Sequence, residues 1–291
     1  MSETTNIGAI DAVVNIWTEE ALKARPGWAE EFFSGKMKAK NSLMTGLTLE
    51  QMIERMEQAG IEHAFLIAAK SGRPGLEGCY HLPPEIVADA VRQYPDKFSG
   101  MIGIDPYTGM NGVRELQHAV EELGFIGAHL YPHWFELAPD EAKYYPFYAK
   151  CVELDIPIQM QVGQSMIYSK QHRTRSVGQP IRLDAVACDF PELRLIGIHV
   201  GIPWTEEMIA MAWKHENVFI GCDAHSPKYW PDSFVHYINS YGQDKVIFGT
   251  DFPVLDFKRT MDEILAHDFK PDVLPKLLRE NVRRIYKLDQ S

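Results

Sequence analysis

Short apolar runs rich in β-branched residues alternate along this chain with longer stretches whose apolar residues recur at helical spacing. The runs are Ala9–Ile16, Ala64–Ala69, Ser99–Ile104, Phe125–Tyr131, Ile156–Val162, Leu193–His199, Val218–Cys222 and Lys245–Thr250. Among the intervals, Thr48 caps a stretch with Leu49, Met52, Ile53 and Met56 at helical spacing, and Gly60 stops it. Pro84–Tyr94, Gly112–Leu123, Ala138–Leu154, Thr205–Lys214 and Lys258–His267 read the same way, and Val273–Tyr286 predicts a closing helix. Strand, helix and strand in regular order imply parallel strands joined by right-handed crossovers.

Two architectures fit that order. A doubly wound sheet calls for a glycine-rich phosphate turn after the first strand, but Val13-Val14-Asn15-Ile16-Trp17 contains no glycine. Eight runs instead match a (β/α)8 TIM barrel. With no repeat, low-complexity tract or Ser/Gly linker, the expected organisation is one barrel domain over residues 1–291.

Composition narrows the partners. A net charge of −11 argues against nucleic acid or an anionic membrane, since phosphate binding needs a basic face. No apolar run approaches the ~18 residues of a membrane span. The opening residues lack a basic segment followed by an apolar one, so a cytoplasmic location is expected. Cys79, Cys151, Cys188 and Cys222 form no C-x-x-C pair and read as reduced thiols. The expected partner is a small molecule. Loop aromatics such as Trp134 and Trp230 also permit a homodimer.

In a barrel, function gathers at the C-terminal ends of the strands. There the chain carries Asn15 and Trp17; Lys70 and Arg73; Asp105 and Tyr107; His129, Tyr131, His133 and Trp134; Gln161 and Gln164; His199 and Trp204; Asp223 and His225; and Asp251. Each alone has a bland reading as a cap or a loop partner; their shared position argues for a site. His63, His81, His118, His172, His215, His236 and His267 read as exposed or satisfied structural residues.

Two motifs carry a specific likeness. Phe248-Gly-Thr-Asp-Phe-Pro253 and Leu193-Arg-Leu-Ile-Gly-Ile-His-Val-Gly201 resemble the strand-8 and strand-6 elements of the amidohydrolase-2 family, which includes the aminocarboxymuconate-semialdehyde decarboxylase group. Gly124-Phe-Ile-Gly-Ala-His-Leu-Tyr-Pro132 and the tail Leu277–Ile285, with Asn281 and Arg284, are similar to that family's strand-4 and closing-helix segments. The resemblance implies a divalent metal, usually zinc, held by D-x-H-x-H on strand 1, a strand-5 histidine and the strand-8 aspartate. By position Asp251 takes the aspartate role and His199 that of the assisting histidine. Strand 1 reads Asp11-Ala-Val-Val-Asn15, however, and strand 5 offers Gln161. Valine has no lone pair and amides are weak zinc ligands. The expectation is therefore a site with no cofactor in the standard mode; a relocated divalent metal on Asp251, His199 and His129 is the alternative.

The resulting expectation is a hydrolase or decarboxylase, a carbon–carbon lyase, acting on a small carboxylated or cyclic carbonyl compound. Asp251 and His199 would be its acid–base pair. Asn15, Trp17, His129, Tyr131, His133, Gln161, Asp223 and His225 would contact the substrate, with Asn15 and Gln161 donating hydrogen bonds to its oxyanion. Arg73, Arg173 and Arg175 are candidate carboxylate anchors. Loss of a metal that activates water favours chemistry that needs none: decarboxylation, lactone or enol proton transfer, or retro-aldol cleavage. A catalytically silent barrel serving as a binding or scaffold protein and a hydrolase with relocated metal ligands are the competing readings.

Overall fold

The computed structural model describes residues 7–25, 31–37, 43, 45–73, 78–167 and 173–288; His172 lies outside them. Eight parallel strands follow one another in chain order around a sheet: β1 Ala9–Asn15, β2 Ile61–Ala68, β3 Phe98–Gly103, β4 Gly127–Leu130, β5 Ile158–Gln161, β6 Leu195–Ile198, β7 Val218–Gly221 and β8 Val246–Ile247. Each overlaps one predicted run; most are trimmed at the ends, whereas β2 begins three residues and β3 one residue before the run. Beyond the eight, Lys70–Ser71 pairs antiparallel with Tyr80–His81 as a two-stranded ribbon at the mouth.

Helices fill the intervals for local reasons. Thr48 and Gln51 form a reciprocal capping box on Leu49–Gln58, whose buried face carries Met52 and Met56. Pro84 starts Pro84–Gln93, and Asp256 caps Phe257–Leu265. The helix expected from Ala138 begins only at Tyr145, preceded by the 3-10 turn Ala142–Tyr144. Leu183–Asp189 and Asp232–Ile238 are short helices that the periodicity did not reveal.

Two apolar cores result. One lies between strands and helices; the other fills the barrel with Ile10, Ala12, Val13, Phe65, Met101, Ile196 and Ile247. From the terminal helix Asn281–Tyr286, Val282, Ile285 and Tyr286 plug the barrel floor. Buried Asn281 holds that helix in place by donating Nδ2 to the carbonyls of Val246 and Gln243, both at 2.8 Å.

Barrel closure is irregular. Strand β8 is only two residues long, and residues 248–252 continue along β1: Ala12 N donates to Phe248 O (3.0 Å), Asp251 N to Val13 O (2.8 Å) and Asn15 N to Phe252 O (3.0 Å). Opposite, β1 carries a bulge between Asp11 and Val14 in its pairing with β2. The Asp11 carboxylate serves both irregularities, accepting from Val13 N (3.1 Å), Thr250 N (3.0 Å) and Thr250 Oγ1 (2.6 Å). Burial still pushes this carboxyl up to about 7. Asp11→Ala should therefore lower stability by about 2–4 kcal/mol, because it strands buried N–H donors. Urea unfolding would show this as a lower midpoint with unchanged slope; a midpoint equal to the parent protein's would refute the clamp.

Candidate active site

The strand ends converge as the barrel requires. Asn15 ends β1, Gln161 ends β5, His199 follows β6, Asp223 lies two residues beyond β7, and Asp251 lies in the closing stretch after β8. His199 and Asp251 both adopt positive φ (72° and 55°), as does the β-branched Val200 (59°). Such backbone is costly for non-glycine residues and persists only where the surroundings enforce it. The enforcement is visible: His199 N donates to Asp223 Oδ1 (3.0 Å) and Asp251 N to Val13 O. Gly163, at φ +90°, lets the loop after β5 run against this turn, since a Cβ there would lie 2.4 Å from Ile202 O.

At the centre, His199 Nε2 lies 3.2 Å from Asp223 Oδ2 and 3.6 Å from Asp251 Oδ2. His199 Nε2 and Asp223 Oδ2 are both buried without a hydrogen-bond partner, so the short contact is out of alignment for one. Asp251 Oδ1 accepts from Asn15 Nδ2 (2.8 Å). Burial raises Asp223 to about 7. Burial, reinforced by Asp223, holds Asp251 well above the ordinary carboxylate range. His199 is pushed far below neutrality by burial, and the nearby His225, His129 and His133 add to the fall.

Asp223 thus completes a cluster in which the sequence reading had expected His129. His129 Nδ1 instead faces Gln159 Oε1 (3.1 Å), while Gln159 Nε2 donates to Ala12 O and Tyr286 OH, both 2.6 Å. The two acceptors on the amide nitrogen fix its orientation, which makes Nδ1 the protonated ring nitrogen of His129. Burial brings His129 to about 4. His133 is likewise buried, accepting from Val177 N at 3.0 Å.

The cluster opens on a pocket. Among its lining are Asn15, Tyr131, Gln161, His199, His225 and Asp251 from the expected set, joined by Arg25, Tyr80, Phe32, Phe33, Met37, Ser71, Trp134, Gln164, Met166, Ile167 and Val254. Trp17, His129, His133 and Asp223 do not line it. Trp17 is buried behind Arg25, whose guanidinium sits 4.6 Å from its ring, and donates Nε1 to Leu43 O (2.6 Å). Asp223 is sealed behind His199 at 0% exposure.

Several expected roles change accordingly. The Asn15 amide is spent inside the protein: Nδ2 donates to Asp251 Oδ1 and Phe252 O, and Oδ1 accepts from Arg25 Nη2 (3.1 Å). It aligns Asp251 with Arg25 and keeps no donor for an oxyanion. Arg73 stacks on Tyr107 (4.4 Å), exposed Arg175 faces Glu136 (3.8 Å), and Arg173 is exposed; none lines the pocket. Arg25 does, held by Asn15, by Tyr80 OH (3.3 Å) and by the Trp17 and Tyr80 rings. It stands ten residues beyond its strand end, where no local pattern marks it. Trp134 belongs to the pocket wall and is half-buried, and Trp230 is buried, stacked on His267, so neither stands exposed on a loop as expected. Lys70 pairs with Glu115 in a separate cleft.

The donor set of one imidazole and two carboxylates fits a divalent cation that takes oxygen and nitrogen ligands. The unpartnered buried atoms are the ones such an ion would satisfy, so the no-cofactor expectation gives way to its divalent-metal alternative. Among the described residues no helix is long and apolar enough to cross a membrane.

Known proteins place the chain. A 2-keto-4-carboxy-3-hexenedioate hydratase of Sphingobium sp. strain SYK-6 is 32% identical over 146 residues, 44% of this chain and only 41% of the hydratase. A gamma-resorcylate decarboxylase of Rhizobium sp. strain MTP-10005 is 21% identical over 250 residues, 70% of this chain and 75% of that protein. The barrel superimposes on a TIM-barrel protein of Bordetella bronchiseptica with TM-score 0.83 at 24% identity, covering 97% of this chain and 99% of the other. It also matches 5-carboxyvanillate decarboxylase of Novosphingobium aromaticivorans, solved with bound manganese, with TM-score 0.70 at 19% identity over 96% and 97% of the two chains. The amidohydrolase family profile (Amidohydro_2) matches residues 10–288. The chain therefore belongs to this amidohydrolase family and is an amidohydrolase-related enzyme.

Proposed function

We propose that this enzyme is a carboxy-lyase that decarboxylates a small planar hydroxylated carboxylic acid with the help of a divalent cation. One observation carries the reading: His199, Asp223 and Asp251 converge within 4.8 Å at the floor of a pocket that also presents a braced arginine and aromatic walls. Decarboxylases of aryl carboxylic acids among its relatives support it. The proposed catalytic unit is the whole chain as one barrel domain.

The residues divide the work. Arg25 binds an anionic oxygen of the substrate, its planar fork being suited to a carboxylate or phenolate. Phe33, Trp134 and Ile167 line the pocket and exclude water from the acid's apolar face. His199 Nε2 and Asp223 Oδ2, the two cluster atoms without a hydrogen-bond partner, would hold the cation beside Asp251, and a bound cation supplies a Lewis acid that draws electron density from an adjacent substrate oxygen. Loss of carbon dioxide leaves an electron pair on the substrate carbon, and a proton must reach that carbon. Asp251 is placed to hold this proton at Oδ2: it lines the pocket, and Asn15 occupies its other oxygen.

The direct test is a turnover screen with dihydroxybenzoic and carboxyvanillic acids, manganese-loaded against chelator-treated, reading carbon dioxide release. Metal-dependent release is expected. Water addition to an unsaturated keto acid would transfer the assignment to a hydratase, and ligand-induced thermal shifts without turnover would favour a binding protein. Once activity is in hand, Asp251→Asn and His199→Asn should each lower kcat by at least ~10²-fold. Near-normal turnover in both would end the mechanism.

Arg25→Met should act mainly on KM, raising it by ~10–100-fold, the equivalent of a lost hydrogen bond to a charged group of about 1.5–3 kcal/mol. An unchanged KM would remove Arg25 from substrate binding.

Stability of the metal-free protein should also report the cluster. Asp223 has a folded value raised from 3.8 to about 7, so its stabilising contribution is complete below pH ~4 and lost as pH climbs through about 7. Thermal midpoints after chelation should therefore fall more between pH 5 and 8 in the parent protein than in Asp223→Asn. Parallel curves would show that Asp223 titrates as an ordinary carboxylate.

A further inference from the structure

On the outside of the barrel a second cluster has ligand chemistry that the mouth lacks. Asp184 and Cys188 lie one turn apart on the helix Leu183–Asp189, which enters β6, and His215 caps the helix Thr205–Lys214, which leaves it. One carboxylate oxygen, the thiol sulfur and one imidazole nitrogen all lie within 4.8 Å of one another. His215 Nε2 is 2.7 Å from Asp184 Oδ1, with the imidazole 10% and the carboxylate 34% exposed. Cys188 faces solvent.

The cluster already attracts a cation. The Lys214 ammonium rests 2.5 Å from the same Asp184 oxygen on a side chain 54% exposed to water. Such an exposed pair is worth little and is readily exchanged.

We propose that Asp184, Cys188 and His215 form a zinc site that ties the two helices flanking β6 together, with solvent as the fourth ligand. Thiolate, imidazole and carboxylate are all zinc ligands, and sulfur selects zinc over magnesium or calcium. Zn–S of about 2.3 Å and Zn–N or Zn–O of about 2.0–2.2 Å put tetrahedral ligand atoms roughly 3.3–3.8 Å apart, so His215 Nε2 and Asp184 Oδ1, now hydrogen-bonded at 2.7 Å, must part slightly and exposed Cys188 must change rotamer to close the set. On binding, the Cys188 proton is released to solvent and Lys214 swings away from Asp184. The fold carries the site from both sides of the strand that leads into His199, without contributing any group to the pocket.

Cobalt(II) titration of the chelator-treated full chain tests this, because only a thiolate ligand yields a sulfur-to-cobalt charge-transfer band. The band is expected at one equivalent in the parent protein, to persist in Asp251→Asn, and to vanish in Cys188→Ser. His215→Ala and Asp184→Asn should weaken zinc binding by at least ~10-fold, the lower bound for losing even an outer-shell partner. Zinc should raise the melting temperature of Asp251→Asn but not of the double variant Asp251→Asn/Cys188→Ser. A parent protein without the band, or a band that survives Cys188→Ser, would overturn the site.

Discussion

Asp11 takes three hydrogen bonds inside the barrel, two of them from Thr250, and so fastens the first strand to the stretch that follows the last. A two-residue β8 cannot close a barrel by regular ladder bonds alone. The closing stretch 248–252 needs acceptors and donors in irregular places, and the bulge in β1 supplies them. Much of the site's geometry follows from that closure. It sets Asn15 against Asp251, forces Asp251 into positive φ, and through Asn15 holds Arg25 over the pocket.

The electrostatics follow from burying three titratable groups together. Asp223 and Asp251 resist ionisation, and His199 resists protonation, because burial penalises each charged form. A site arranged in this way leaves buried polar atoms unsatisfied, a cost tolerated where a ligand or ion satisfies them. The cluster's makeup also bears on the type of metal. Two carboxylates and one imidazole are harder than the imidazole-rich set implied by the family resemblance, so the ion proposed for the mouth differs in preference from the zinc proposed for the outer cluster.

Three further histidines surround this arrangement. His129, His133 and His225 surround His199 at a distance, yet the first two turn their hydrogen bonds inward, to Gln159 and the backbone of Val177. The chain Tyr286–Gln159–His129 connects the terminal helix to the barrel interior below the pocket. The terminal helix is thus part of the floor on which the site stands.

The sequence by itself determined the barrel. Eight apolar runs, capped helical intervals and the absence of a phosphate turn leave little else, because binary pattern and caps act locally and survive reading one residue at a time. It also placed Asn15, Gln161, His199, Asp223 and Asp251 at strand ends, since in a parallel barrel every strand end points to one mouth. Tertiary structure alone decided which of these groups meet. Asp223 rather than His129 joins His199 and Asp251, because the amide of Gln159 turns His129 elsewhere. Arg25 enters the pocket from a loop, and Trp17 leaves it, because both positions depend on packing against Tyr80, Phe33 and Leu43, far away in the chain. Contacts between distant residues carry no period, so no pattern along the chain announces them.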